Sequence, residues 1–374
     1  MSGRRSRAAH RPVHAGNTAQ EGEPRKTARR EILAAAGCLA LGAASGVPPL
    51  APPARAATPP TGLDQALVDE TLTRARALPS LHGMLVARDG NELVAERFRG
   101  PGLDHPVNVK SVSKSVIAAL VGGAIARSVL EGVEQPVAPV LDGLVPADAD
   151  PRIGAITLDH LLSMRAGLER TSGRNYGRWV NSSDWVRYAL SRPFVDQPGG
   201  RMLYSTGNYH LLSAALTQAS GRSTLALARD WLGDPLGIEI PPWTRDPQGF
   251  YLGGNNMVLS PRALLRFGEM HRQGGAYSGG QVLPRRWIEA SWVARSRSRF
   301  TGHAYGYGWF VVRARGHPVA YAWGYGGQMI YIVPDLGLCA AMTSDPSAPS
   351  GRTGHVRRLH ALLADGIVPA AERG

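Results

Sequence analysis

Cysteine and lysine are nearly missing from this 374-residue chain: there are two cysteines, Cys38 and Cys339, and three lysines among 42 basic residues. Two cysteines cannot build a disulfide scaffold or a multi-cysteine metal site, and no Cys-x-x-Cys or His-Glu-x-x-His spacing occurs. No metal and no cofactor is therefore expected. Also absent are a Gly-x-x-x-x-Gly-Lys phosphate loop, a completed dinucleotide fingerprint and a Gly-x-Ser-x-Gly nucleophile elbow, which excludes the common nucleotide-binding and α/β-hydrolase devices. With 43% hydrophobic and 19% charged residues, the chain is not of the disordered, solvating class. The net charge of +13 is front-loaded, because residues 1–56 hold nine basic and three acidic side chains. What remains lacks the basic stripe of a nucleic-acid-binding body, so no nucleic-acid partner is expected.

There is no long hydrophobic run. The stretch from Ile32 to Leu50 is rich in alanine and glycine, too short and too small-residued for a transmembrane span. It follows Arg29-Arg30 and precedes Ala54-Arg55-Ala56, a small-x-small pattern that a signal peptidase recognises. Residues 1–56 therefore read as a twin-arginine-type export signal that is removed, leaving residues 57–374 as an exported protein without a membrane anchor. Ala35 stands where a lipid-attachment signal carries a branched residue, which weighs against Cys38 as an anchor.

In the remaining chain, Leu67, Leu72, Ala75 and Leu78 recur at helical spacing and Pro79 ends the pattern. Leu81–Ala87 and Leu93–Phe98 flank Asp89-Gly90 and predict a hairpin. From Ser111 to about Leu130 nearly every residue is apolar or small, as in a helix buried on most sides. Residues 131–250 alternate short helical patterns with loops. After a helix from Pro261 to about Gln273, the runs Trp309–Arg313, Val319–Trp323, Gln328–Val333 and Leu338–Met342 predict an antiparallel meander, and Val356–Ala364 a closing helix. The fold class is α/β in the α+β sense: one antiparallel sheet built from both ends of the chain, flanked by helices, with a helical lobe inserted.

Lys110 and Lys114 lie within five residues of each other in a chain that otherwise uses arginine for positive charge. An ammonium can lose its proton when desolvated, whereas a guanidinium cannot. Lys114 stands three residues after Ser111, so on a helix start the two share a face. A neutral Lys114 would take the Ser111 proton while helix-start N–H groups stabilise negative charge. The same Ser-x-x-Lys spacing also occurs at ordinary helix starts, so the pair alone leaves both readings open.

Further motifs in fixed order extend it. Val109 to Ser115 resembles the nucleophile segment of the serine β-lactamase and penicillin-binding family. Ile156 to Met164 with Gly167-Leu168 is similar to its helix behind the site, and Pro198-Gly199 with Tyr204-Ser205-Thr206-Gly207-Asn208 to its second motif. Gly253-Gly254 before Leu259-Ser260-Pro261 and Gly324-Tyr325-Gly326-Gly327-Gln328 before Val333-Pro334-Asp335 complete the order. The resemblance covers nearly all of residues 62–365 and is nearest the class C-like branch that includes 6-aminohexanoate-dimer hydrolases and related esterases.

That resemblance implies a β-lactamase/transpeptidase-like fold in which Ser111 attacks a carbonyl, Lys114 activates it and a tyrosinate-like Tyr204 relays the proton. It also implies an oxyanion hole from the backbone N–H groups of Ser111 and Gln328, with Gly326, Gly327, Tyr325 and Asn208 at the substrate. Two departures bear on substrate. Thr206 occupies the third position of the family's Tyr-x-Asn, so Asn208 is either its displaced substitute or a helix N-cap. Tyr325 stands where a lysine or histidine opens the third motif. The expectation is an exported serine hydrolase of small amides or esters. A D-alanyl-D-alanine carboxypeptidase or β-lactamase, and a catalytically silent binding domain, are the alternatives.

Overall fold

The computed structural model describes residues 62–349 and 353–374. The expected export segment and Cys38 lie outside the described residues. The first hydrogen-bonded hairpin joins β1 (Leu81–Arg88) to β2 (Asn91–Arg97) through Asp89 and Gly90, both at positive φ, 51° and 85°. Two consecutive left-handed residues make the turn whose twist matches that of the strands it joins.

That hairpin forms one edge of an eight-stranded sheet. Its other strands are β3 (Ser296–Arg297), β4 (Ala304–Tyr305), β5 (Phe310–Ala314), β6 (His317–Gly324), β7 (Gln328–Val333) and β8 (Leu338–Ser344), in spatial order β2-β1-β8-β7-β6-β5-β4-β3. All named pairings are antiparallel, and β1 lies against β8 with Met84 opposite Met342 and Ala87 opposite Cys339. The meander predicted from alternation is present. The two-residue strands β3 and β4 extend it, too short to announce themselves by period.

Every residue of β7 is buried because helices cover both faces of the sheet. Successive side chains on a strand point to opposite faces. Ile330 and Ile332 lie against Gly268 of the helix Pro261–Arg272, while Tyr331 bonds His360 of the closing helix His355–Leu362 at 3.0 Å. The N-terminal helix Gln65–Arg76 is started by the Asp64 carboxylate, which accepts from Leu67 N. It lies by the C-terminal segment, where Asp64 N donates to Ala370 O at 2.9 Å.

Residues Lys110–Val112 form a single 3₁₀ turn that leads into the α-helix Ser113–Ala126. The helix is shorter than the Ser111–Leu130 expected, and Ser111 sits on the turn in front of it. Residues Ser113 to Ala124 are all buried, consistent with an apolar surface on every side. Between this helix and the strand Val258–Leu259 the described residues hold helices, turns and isolated bridges only. The longest helix there is Thr206–Ser220, closed by Gly221 in the left-handed region. Among the described residues, no helix is long and apolar enough to cross a membrane.

Candidate active site

The turn that carries Ser111 is pinned from both sides. Val107–Asn108 pairs with Val258–Leu259, and Val109 N donates to Met257 O at 3.0 Å. Ser113 Oγ donates to Lys110 O at 2.5 Å and accepts from Met257 N at 3.1 Å. These bonds hold Ser111 at the floor of a cleft of about 530 Å³.

Lys114 reaches up from the first turn of its helix. Its Nζ is 2.9 Å from Ser111 Oγ, 2.5 Å from Gly254 O and 3.4 Å from Thr206 Oγ1. The side chain is 1% exposed, and desolvation pulls its pKa down from 10.5 to about 7. The amine can therefore exist uncharged near neutrality. In that form it donates to Gly254 and Thr206 and keeps a lone pair for the Ser111 hydroxyl.

The Gly254 carbonyl gets there because the chain lacks side chains at two successive positions. A Cβ on Gly253 would lie 1.9 Å from Tyr209 O, and one on Gly254 2.9 Å from Thr206 Cγ2 and Thr206 O. The glycine pair thus packs onto the start of Thr206–Ser220, which fixes the height of the carbonyl that holds Lys114.

Tyr204 is half-buried beside the pair, hydrogen-bonded to Ser111, with Lys114 Nζ 5.0 Å from its ring centroid. Burial pushes its pKa up to about 12 against the smaller opposing effect of the Ser111 bond. The phenol stays protonated near neutral pH. This differs from the tyrosinate-like state expected from sequence, because desolvation penalises the phenolate more than the Ser111 hydrogen bond favours it.

The second motif is arranged differently from either reading offered above. Its helix begins at Thr206, and the N-cap Ser205 makes no side-chain cap bond. The capping comes from a loop 34 residues earlier, where Ser172 Oγ accepts from Thr206 N and Thr171 Oγ1 accepts from Gly207 N, both at 2.8 Å. Asn208 is therefore not the N-cap. It is buried in the first turn, outside the cleft lining, and Thr206 takes the place facing Lys114.

The third motif is also displaced from expectation. Gln328 is fully buried, and its amide donates to Ser344 O at 2.7 Å while its Oε1 accepts from Ser344 N at 3.2 Å. It ties β7 to β8 and does not line the cleft. Gly326 and Gly327, at φ 87° and 104°, turn the chain against Asp345 O and His355, where a Cβ would lie 2.6 Å and 2.9 Å away. Their position is explained by the turn. The close approach to the turn that carries Ser111 is made by Gly324, where a Cβ would lie 2.3 Å from Val109 O. Tyr325 comes next, half-exposed at the cleft.

Sequence reasoning missed the walls of the cleft. Arg170 and Tyr176 come from the helical lobe, Asn255 follows the glycine pair, and Phe300 comes from the sheet side. Asn255 Nδ2 donates to Tyr176 Oη at 3.0 Å, joining two of these segments. None has a local pattern that marks it. Behind the site, Asp159 accepts from Tyr307 Oη at 2.6 Å and pairs with Arg165 at 2.5 Å and Arg295 at 3.2 Å. It thereby ties the lobe to the sheet.

Residues 68–364 match the Beta-lactamase family model. The chain belongs to the beta-lactamase family. This beta-lactamase-family chain is 26% identical over 261 residues to the 6-aminohexanoate-dimer hydrolase of Paenarthrobacter ureafaciens, across 65% of this chain and 62% of that one. Over 144 residues it is 33% identical to a protein named for fimbrial assembly in Dichelobacter nodosus, across 36% and 35% of the two chains. The chain thus spans between about a third and three fifths of the curated relatives it matches. Among solved structures, a D-stereospecific amidohydrolase from Streptomyces sp. superposes with a TM-score of 0.62 at 18% identity, over 81% of this chain and 99% of that one. Its fold is shared with that amidohydrolase structure and with a penicillin-binding protein homologue from Pyrococcus abyssi, the latter at a TM-score of 0.62 and 17% identity.

Proposed function

We propose that the protein is a serine hydrolase of small amides or esters that works through an acyl-enzyme on Ser111. The observation that carries this reading is the buried amine of Lys114, 2.9 Å from Ser111 Oγ, with its pKa pulled down to about 7 by desolvation. An amine poised near the working pH is the most effective general base, because it combines availability with driving force.

In the proposed reaction Ser111 Oγ attacks the substrate carbonyl carbon as its proton passes to Lys114 Nζ. The negative oxygen is met by the backbone N–H groups of Ser111 and Tyr325, the latter carried to the site by the close packing of Gly324 on Val109. Tyr204, protonated and bonded to Ser111, delivers a proton to the departing amine or alcohol and is refilled from Lys114. Water then attacks the ester by the reverse proton path, giving the carboxylic acid and free Ser111. A silent binding domain has no need of a desolvated lysine beside a serine, which favours the catalytic reading.

The test is labelling of residues 57–374 by a fluorophosphonate together with turnover of short p-nitrophenyl esters, alongside Ser111→Ala and Lys114→Ala. Both activities should vanish in both variants. A folded wild-type protein that neither labels nor turns over would sink the proposal. Cephalosporin hydrolysis comparable to ester turnover would instead favour the β-lactamase or D-alanyl peptidase alternative. Export through residues 1–56 belongs to the same proposal, and a secreted product beginning near Ala57 is its expected signature.

A further inference from the structure

A second cluster of titratable side chains lies on the face of the sheet that the closing helix covers, and none of its members lines the cleft. Tyr321 of β6 and Tyr331 of β7 are paired across the strands, and both are buried. Two half-buried imidazoles take their hydroxyls. His303 Nδ1 is 2.6 Å from Tyr321 Oη, and His360 Nδ1 is 3.0 Å from Tyr331 Oη. His303 comes from the turn between β3 and β4, and His360 from the helix His355–Leu362. The two rings meet with their centroids 6.0 Å apart and their planes at 70°.

Each ring spends one nitrogen on its tyrosine. Among the described residues, Nε2 of neither ring has a hydrogen-bond partner, and neither is a buried unpaired atom, so both are open to water. An imidazole that gives its Nδ1–H to an oxygen presents a lone pair at Nε2, which is how metal-ligating histidines are fixed in tautomer and direction. Desolvation lowers both pKa values, that of His360 to about 4, with Arg297 adding to the effect on His303 and His303 to that on His360. Both rings are therefore neutral near pH 7, the state that metal binding requires. An ion about 2.0–2.1 Å from each Nε2 sets two ring centroids roughly 5–6.5 Å apart. The separation found lies within that span.

We infer that His303 and His360 form a two-histidine site for a divalent transition ion of the zinc, nickel or copper class, which imidazole suits and which magnesium and calcium do not resemble. Among the described residues no group of three or more histidine, cysteine, aspartate or glutamate side chains could hold a metal ion. Water therefore completes the coordination, and affinity lies well below that of a four-ligand structural zinc. The ion clips the turn between β3 and β4 to the closing helix. That turn also carries Ser298 and Phe300, which line the cleft, so binding stiffens one cleft wall from outside it. Metal binding here owes nothing to Ser111 chemistry, and the site stands or falls apart from the acyl-enzyme reading.

The test is calorimetric titration of the full chain with zinc, nickel and magnesium chlorides at neutral pH, alongside His303→Gln and His360→Gln. Glutamine keeps a hydrogen-bonding amide but supplies no imidazole. Groups elsewhere, among them His10, His14 and Cys38, are common to all three proteins, so the difference isolates the pair. Wild type should take up one more equivalent of zinc or nickel than either variant, with a micromolar dissociation constant, and magnesium should show no difference. Saturating zinc should raise the wild-type Tm by about 2 °C or more beyond any rise in the variants.

A measurement on the unaltered protein serves should a variant fail to fold. On adding copper(II) below one equivalent, the ring-proton NMR signals of His303 and His360 should broaden together at the lowest additions. Equal uptake by wild type and both folded variants, or broadening that spares these two rings, overturns the site.

Discussion

Replacing Lys114 by methionine should destroy activity and stabilise the protein. Methionine keeps the flexible stem and most of the volume while removing the charge. Unfolded, a lysine holds its proton up to about 10.5, whereas the folded one releases it near 7. Between those values the unfolded chain binds more protons, so wild-type stability rises with pH. Below about 7 both states are protonated and the cost of the buried ammonium is full. Above about 10.5 both are neutral and that cost has gone.

At about 1.4 kcal/mol per pH unit, the gap between 10.5 and about 7 corresponds to on the order of 4 kcal/mol against the folded state at neutral pH. The substitution strands the Gly254 carbonyl without its donor, a loss of about 1–3 kcal/mol. Lys114→Met should therefore be more stable than wild type by about 1–3 kcal/mol at pH 6 to 7. Urea unfolding of both proteins at pH 6, 7, 8 and 9 measures this. Wild type should gain on the variant by about 1.4 kcal/mol per pH unit from pH 7 to 9. Wild-type kcat/KM should climb through the same pH region where the folded lysine titrates. Stability curves that stay parallel across the range would refute a lysine that folds uncharged, and with it the general-base assignment.

Gly253→Ala puts a methyl 1.9 Å from Tyr209 O, backbone that cannot swing aside, so urea unfolding should show a loss of at least about 3 kcal/mol, the upper end of overpacking costs. Asp159→Asn should lower stability by about 2 kcal/mol, because Arg165 and Arg295 lose their shared anion at a part-buried site; no change in the thermal midpoint would contradict the tie between lobe and sheet. The Cys339 thiol is fully buried and its pKa is pushed up by burial, so a thiol reagent should label it only in denaturant. Rapid labelling of the native protein would contradict its place between β8 and the helix Pro261–Arg272.

Legibility in the sequence followed the range of the interactions involved. The hairpin at Asp89-Gly90 and the meeting of Ser111 with Lys114 were readable because their signals are local: a turn dipeptide, and two scarce lysines three and one residues from a serine. Thr206 and Asn208 were not sorted correctly, because the helix start is capped by Ser172 and Thr171. Nothing in the segment itself says that its cap comes from elsewhere. The geometry of the third motif was hidden for a related reason. Which residue after β6 faces the cleft depends on Gly324 touching Val109, about 215 residues earlier in the chain. Tyr204 misled in another way, since adjacency to a lysine suggests a phenolate until burial is known. The cleft walls were invisible because Arg170, Asn255 and Phe300 belong to loops without periodicity.

The pairing of β1 with β8 has a consequence for how the protein is made. Leu81 meets Ser344 across roughly 260 residues, and everything that builds the site is threaded between them. Contacts so distant in sequence form late, since the intervening chain must first be gathered. A ribosome-bound fragment that already contains Ser111, Lys114 and Tyr204 lacks the strand that seats Tyr325. The candidate site is thus assembled only when synthesis has almost finished, and any activity it has waits until the whole sheet can close.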